Sequence, residues 1–202
     1  MAATSTEGRA ADKRRKILDA AIRVFARQGF HSARVSDIAA EAGVAYGLVY
    51  HYFDSKDQML TELFTERWSL LLDAIREADS QLEGPRAKLG AAAGFIIESY
   101  RHDPDLMKVI IVEVTRAANS FGAAHLGKIT EAYGQIRGIV EQAQQSGEFR
   151  STVTAEFAAM AFYGAIEQVL TGWIFGLLEE GDDAYERAKG YVVETICGGL
   201  DA

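Results

Sequence analysis

The stretch Val35-Ser36-Asp37-Ile38-Ala39-Ala40-Glu41-Ala42-Gly43-Val44-Ala45-Tyr46-Gly47-Leu48-Val49-Tyr50-His51-Tyr52-Phe53 decides the fold. Val35, Ile38 and Ala39 recur at helical spacing and give one apolar side to a short helix over about residues 35–42. Gly43 follows, the residue type that takes a left-handed turn without steric cost. A second short helix is predicted over about Tyr46–Tyr52, with Val44 plugging the space between the helices and Val49 and Phe53 facing the same core. Two short helices joined by such a turn make a helix-turn-helix, which drives the rest of the second helix outward. The outward set is Ala45, Tyr46, Leu48, Tyr50, His51 and Tyr52. In this motif such a face enters the major groove or lines its walls, so double-stranded DNA is the expected partner.

That face carries no Arg or Lys for guanine and no Asn or Gln for adenine. It offers phenols, an imidazole and small apolar groups instead. Tyr46 and Leu48 are therefore expected to touch bases, including thymine methyls, while Tyr50 and His51 hold phosphates. Gly47 lets the helix backbone come close to the duplex. Lys56, at the start of the next helix, adds a phosphate contact aided by the helix N-terminus. The competing reading is an ordinary three-helix bundle whose aromatics are core. It fails on one point: a Tyr50-His51-Tyr52-Phe53 run cannot face one way on a helix, so part of it is exposed.

Working outward, residues 1–12 are small, polar and without periodicity, which predicts a disordered arm. From Lys13 an amphipathic helix carries Ile17, Leu18, Ala21, Ile22 and Phe25 and stops at Gly29. Residues 13–58 are expected to form the helix-turn-helix domain and residues 59–202 a larger helical domain. Asp54-Ser55 cap a long helix from about Lys56 to Gln81. Further helices are predicted over about 86–101, from Asp103-Pro104 onward, and over 122–146, 154–178 and 182–200. Only two prolines interrupt the chain and no segment alternates like a strand, so the fold class is all-α. The net charge of −8 divides unevenly: residues 1–60 hold nine Lys/Arg against seven Asp/Glu, the remainder twelve against twenty-two. A slightly basic head on an acidic body suits a protein that meets phosphates with one end.

Cys197 is the single cysteine, which excludes an intramolecular disulfide, and the N-terminus lacks the apolar core of a secretory signal. A cytoplasmic location is expected. Residues 158–178 contain one charge and are long enough to span a bilayer, but Glu167, Gln168 and Thr171 at their middle argue against a membrane. A buried dimerisation helix is expected there instead. Gly172 and Gly176, four apart, would let another helix approach, and pairing with the last helix would give a four-helix bundle across a two-fold axis.

The N-terminal stretch strongly resembles the DNA-binding region of the TetR family of bacterial regulators. The resemblance rests on Phe25 and Gly29-Phe30, on Val35-x-x-Ile38-Ala39-x-x-Ala42-Gly43-Val44, and on Gly47-x-x-Tyr50-x-Tyr52-Phe53-x-x-Lys56-x-x-Leu60. Arg34 departs from the family, which often has Ser or Thr there; either Arg34 itself or the Ser36 hydroxyl is expected to meet a phosphate. Tyr46 is also unusually large for its position. The resemblance implies a homodimer and a ligand pocket among the C-terminal helices.

Residues that fit an apolar pocket are Tyr100, Ile110, Val114, Tyr133, Phe162, Ile166 and Trp173, although each also suits plain core. Arg116 and Glu167 interrupt apolar stretches, and a charge buried there needs a partner, in each other or in a ligand. A second resemblance covers Val112-Glu113-Val114-Thr115-Arg116-Ala117-Ala118-Asn119 and residues 162–173, which look like those of TetR-type regulators of fatty-acid degradation. It implies release from DNA on binding long-chain acyl-CoA, with Arg116 and Asn119 near the ligand. The mechanism then expected is a change in the spacing of two recognition helices, which must sit about 34 Å apart or a multiple of it. The scattered histidines His31, His51, His102 and His125 show no metal-ligand spacing, and neither a metal nor a cofactor is expected. Three rivals remain: a regulator of the same type sensing a different hydrophobic ligand, one controlled by a protein partner, and an all-α enzyme using Glu113 with His125.

Overall fold

The computed structural model describes residues 3–113 and 123–201. The helices are α1 (Ala3–Gln28), α2 (Val35–Ala42), α3 (Tyr46–Tyr52), α4 (Lys56–Gln81), α5 (Pro85–His102) and α6 (Pro104–Lys108). After a π-helical turn over Val109–Glu113 come α7 (Ala123–Ser146), α8 (Ala155–Ile174) and α9 (Asp182–Gly198). Among the described residues the only β-type pairing is an isolated antiparallel bridge between Phe149 and Asp201. The fold is all-α, as the sequence predicts.

Two elements differ from the sequence expectation. Helix α1 takes in residues 3–12, predicted to be a disordered arm. Once residues 13–28 have formed a helix, extending it needs no new nucleation, and Ala and Arg there are good helix formers. The segment after Pro104 leaves the α register at Val109, where four β-branched residues, Val109-Ile110-Ile111-Val112, follow one another. Such residues crowd the preceding turn of an α-helix and lower its propensity slightly.

The chain divides into two compact units, Met1–Thr65 with Asp105–Phe121, and Glu66–Pro104 with Gly122–Ala202. In the first, Ile17, Leu18, Ala21 and Phe25 of α1 pack with Ile38, Ala39 and Ala42 of α2, Val49 and Phe53, and Met59, Leu60 and Leu63 of α4. Val109 is buried in the same core and Leu106 packs against it. Removing one such large side chain from water is worth about 1.5–3 kcal/mol. Ion pairs brace the rim: Glu41 of α2 accepts from Arg23 and Arg27 of α1, at 2.8 and 3.2 Å. Arg14 pairs with Glu62 while its guanidinium lies over the Phe53 ring.

In the second unit α9 packs on α5 and α8, and α7 packs on α8. Leu72, Leu89, Ile97, Ile136, Val140, Phe162, Ile166 and Leu170 are buried. Thr154 caps α8, its hydroxyl oxygen accepting from the Phe157 N–H. Helix α8 ends at Ile174, and Gly176 follows with φ of 65°, a left-handed turn that suits glycine. The Gly172/Gly176 pair expected to admit another helix is therefore not helical throughout. A Cβ on Gly172 would meet Leu178 Cδ1 at 2.7 Å, so its bareness accommodates the chain folding back after α8. Among the described residues no helix is long and apolar enough to cross a membrane.

Candidate nucleic-acid interface and ligand site

The turn between α2 and α3 is set by Gly43, at φ 62° and ψ 40°, whose N–H donates to the Ala40 carbonyl while that of Val44 reaches Ala39. At the entry to α2, the Asp37 carboxylate accepts from the Arg34 backbone N–H at 3.3 Å. Val49 on α3 and Phe53 just past its end are buried, 0% and 1% exposed. Tyr46 and Tyr50, one helical turn apart, stand 54% and 45% exposed. Their hydroxyls are 3.1 Å apart and their rings meet edge-on at 5.2 Å. The hydrogen bond to Tyr46 pushes the Tyr50 phenol above its ordinary range, so it stays a neutral hydroxyl.

Ala45, Gly47, His51, Arg34 and Ser36 are also exposed. Gly47 has open space where a side chain would stand. Leu48 is half-buried, and Tyr52 packs against the core of the first unit, contrary to the outward position expected for it. It lies three residues after Val49, on the flank of the helix that Val49 buries.

Lys56 has an unexpected set of partners. Its ammonium donates to the carbonyls of Phe30, His31 and Ala33 at 2.7, 3.0 and 3.1 Å. It also sits 4.7 Å from the centre of the Phe30 ring. A lysine has three N–H donors, and all three are engaged with the loop between α1 and α2. The geometry is that of a clamp on the loop that leads into Arg34.

The second unit holds two aromatic clusters. In one, Tyr100 stacks on Trp173 at 5.4 Å and Tyr185 meets Trp173 edge-on at 4.9 Å. Its polar atoms are satisfied: Tyr100 and Tyr185 donate to the Glu180 carboxylate at 3.4 and 3.0 Å, and the Trp173 indole N–H donates to the Glu179 carbonyl at 3.1 Å. Burial, then the Glu180 charge, pushes the Tyr100 phenol up to about 12. Tyr100 and Trp173, both expected at a pocket, thus pin the loop between α8 and α9.

The other cluster joins Trp68 of α4, Tyr133 of α7, and Phe162 and Tyr163 of α8. The Tyr163 ring lies 4.6 Å from Tyr133 and 6.1 Å from Trp68. Phe162 and Ile166 are buried beside it in sequence, whereas Glu167 is exposed on the outer side of α8. The expected tension of a buried Glu167 is therefore absent. Its charge is still felt, since burial and then Glu167 raise the Tyr133 phenol. Ile110 is buried and belongs to the first unit. Val114, Arg116 and Asn119 lie outside the described residues, as do the side chains of Glu113 and His125.

Sequence reasoning passed over Arg67, half-buried with its guanidinium 4.8 Å from the centre of the Phe95 ring and its pKa lowered by burial. It passed over Trp68 and Tyr163 as well. Cys197 is buried, its thiol pushed up to about 11 by burial, which leaves it unreactive near neutrality. Among the described residues no cluster of His, Cys, Asp and Glu could hold a metal ion.

Residues 17–63 match the family model for bacterial regulatory proteins of the tetR family, and residues 64–183 match the model for the C-terminal region of YsiA-like proteins. The chain is 30% identical over 188 residues to the fatty acid metabolism regulator protein of Bacillus subtilis, spanning 92% of this chain and 94% of that one. Among solved structures it resembles the fatty acid degradation regulator FadR of Bacillus halodurans, with 26% identity, a TM-score of 0.79 and coverage of 93% and 96%. It also resembles FadR of Bacillus subtilis solved in complex with stearoyl-CoA, with 26% identity, a TM-score of 0.76 and coverage of 92% and 98%.

Proposed function

The chain belongs to the TetR family of bacterial transcriptional regulators, and from that premise we propose that it is a homodimeric repressor released from operator DNA by a long-chain acyl-CoA. The observation that carries the DNA-binding part is the Tyr46–Tyr50 pair, held edge-on and exposed on the second helix of the helix-turn-helix, where the core gains nothing from it. Tyr46 with Ala45 and Leu48 reads base edges and thymine methyls in the major groove. Tyr50, His51, Ser36 and Arg34 hold phosphates, and Gly47 allows the backbone to approach.

Dimerisation uses the outer faces of α8 and α9. Phe157 and Met160 on α8, Phe175 and Leu177 just beyond it, and Tyr191 on α9 are 59–76% exposed. A run of apolar side chains on two adjacent elements is surface that a monomer would leave in water. Applied to itself about a two-fold axis it becomes an isologous interface. Replacing Phe157 and Met160 with Glu is expected to give monomers in sedimentation velocity and to abolish binding to two-fold operator DNA.

The ligand assignment draws on the full-length likeness to a regulator solved with stearoyl-CoA and on the aromatic side chains of the second unit. Arg116 and Asn119 are assigned to the polar end of the ligand. The test is thermal denaturation with CoA, fatty acids and acyl-CoAs of rising chain length. A melting temperature that rises with acyl length and is unmoved by CoA supports the reading, because a ligand stabilises the state it binds by RT ln(1 + [L]/Kd). No shift with any acyl-CoA overturns it.

A further inference from the structure

Tyr163 is 7% exposed, and its hydroxyl oxygen is fully buried with no hydrogen-bond partner among the described residues. Native proteins rarely leave a buried hydroxyl unpaired, and Phe would fill the same space without that cost. The contrast within the second unit is direct. Tyr100, Tyr185 and Trp173 are equally aromatic, yet each of their polar atoms reaches an acceptor on the loop between α8 and α9. At Tyr163 the chain keeps a donor and supplies no acceptor among the described residues. The surroundings also say what kind of acceptor fits. The ring is flanked by Tyr133 and Trp68, so the neighbouring surface is aromatic. Burial and the Tyr133 phenol raise Tyr163 far above the ordinary range, which keeps it a neutral O–H donor. The Glu167 carboxylate raises the Tyr133 phenol beside it. A second carboxylate beside Tyr163 would be desolvated and repelled, whereas a neutral carbonyl oxygen carries no such cost.

We propose that the hydroxyl of Tyr163, whose ring neighbours those of Trp68 and Tyr133, is the polar anchor of the effector and donates its hydrogen bond to the carbonyl oxygen of an acyl thioester, thereby selecting the thioester over the free fatty acid. The proposal deepens the acyl-CoA reading above and rests on it.

Isothermal titration of the full chain with palmitoyl-CoA, with S-hexadecyl-CoA (the thioether that lacks the carbonyl) and with palmitate tests it, for the wild type and Tyr163→Phe. The wild type is expected to bind palmitoyl-CoA about 5–10-fold more tightly than the thioether, the worth of one hydrogen bond in a desolvated site, and palmitate more weakly still. Tyr163→Phe is expected to bind thioester and thioether alike, at the level of the thioether. Without ligand, Tyr163→Phe should melt about 2–4 °C higher than the wild type, since an unpaired buried hydroxyl has been removed. A Tyr163→Phe protein that keeps the full preference for the carbonyl, or loses equally for both ligands, overturns the proposal. So does a ligand-free variant that melts several degrees lower, which would show the hydroxyl already bonded within the protein. Failure of the wild type to bind any long-chain CoA overturns the acyl-CoA reading and this proposal together. Binding that is indifferent to the carbonyl overturns this proposal alone.

Discussion

Replacing Lys56 by Met separates two roles that a lysine at the start of α4 can play. Met keeps the unbranched stem and removes the ammonium, which bonds to three carbonyls at 2.7–3.1 Å and lies over the Phe30 ring. A hydrogen bond from a charged donor is worth about 1.5–3 kcal/mol when buried. Lys56 is only half-buried, so water re-solvates the freed carbonyls and the three together count for roughly the value of one such bond. The cation–π contact adds about 0.5–1 kcal/mol. The sum is about 2–4 kcal/mol, which for a chain of this length lowers the melting temperature by about 4–16 °C. The second assay is DNA affinity as a function of salt. Taking one phosphate-bound cation out of a duplex complex reduces the slope of log K against log [salt] by about 0.9. The clamp geometry predicts lower stability and weaker binding at an unchanged slope, because the three Lys56 donors are taken up by the loop leading to Arg34. An unchanged melting temperature with a slope reduced by about 0.9 would refute the clamp and restore Lys56 as a phosphate ligand.

Three further outcomes are expected. Gly47→Ala should be neutral or stabilise by about 0.5–1 kcal/mol, since the site is helical and open and Ala is the better helix former. The same methyl should weaken DNA binding about tenfold in a fluorescence-anisotropy titration if the backbone there meets the duplex, since a forced overlap costs about 1–3 kcal/mol. Gly172→Ala should destabilise, because the new methyl meets Leu178 Cδ1 at 2.7 Å; urea unfolding with an unchanged midpoint would show that Leu178 yields without cost. Stability should also fall in alkali. The Tyr100 phenol titrates at about 12 when folded against an ordinary 10.0, so the unfolded chain loses its proton first. That contribution is complete below pH 10.0 and is lost as the pH rises toward about 12, with Tyr133, Tyr163 and Tyr185 shifted in the same direction. Urea midpoints measured across that window check it, and a flat profile would contradict the burial of these phenols.

The helix-turn-helix was legible because its signal is local. Val49 faces the core on the helical face that the apolar spacing marks, Phe53 is buried just past the helix end in extended backbone, and Gly43 marks the turn because the backbone there takes φ of 62°. Tyr52 was misplaced because the same periodicity leaves a residue three positions from Val49 on a flank, and only the packing decides its side. Lys56 could not be read either. Its partners are carbonyls more than twenty residues earlier, and carbonyls leave no trace in a sequence. For the residues proposed at the ligand, the sequence shows composition but not arrangement. Tyr100, Tyr133, Tyr163 and Trp173 look alike as letters, whereas the structure divides them into a cluster bonded to Glu180 and one that holds an unpaired hydroxyl. Gly172 and Gly176 show a related limit: the spacing of a helix-packing pair was present, but the helix stops at Ile174.

The central claim, an operator-binding repressor released by acyl-CoA, is tested most directly by one binding measurement. DNA selected by the full-length protein from a randomised duplex pool is titrated with the protein, in the presence of palmitoyl-CoA or of CoA alone. The account predicts tight binding that palmitoyl-CoA abolishes and CoA leaves intact, with a Tyr46→Ala, Tyr50→Ala double variant failing to bind at all. Selected DNA whose occupancy is the same with and without palmitoyl-CoA would contradict it.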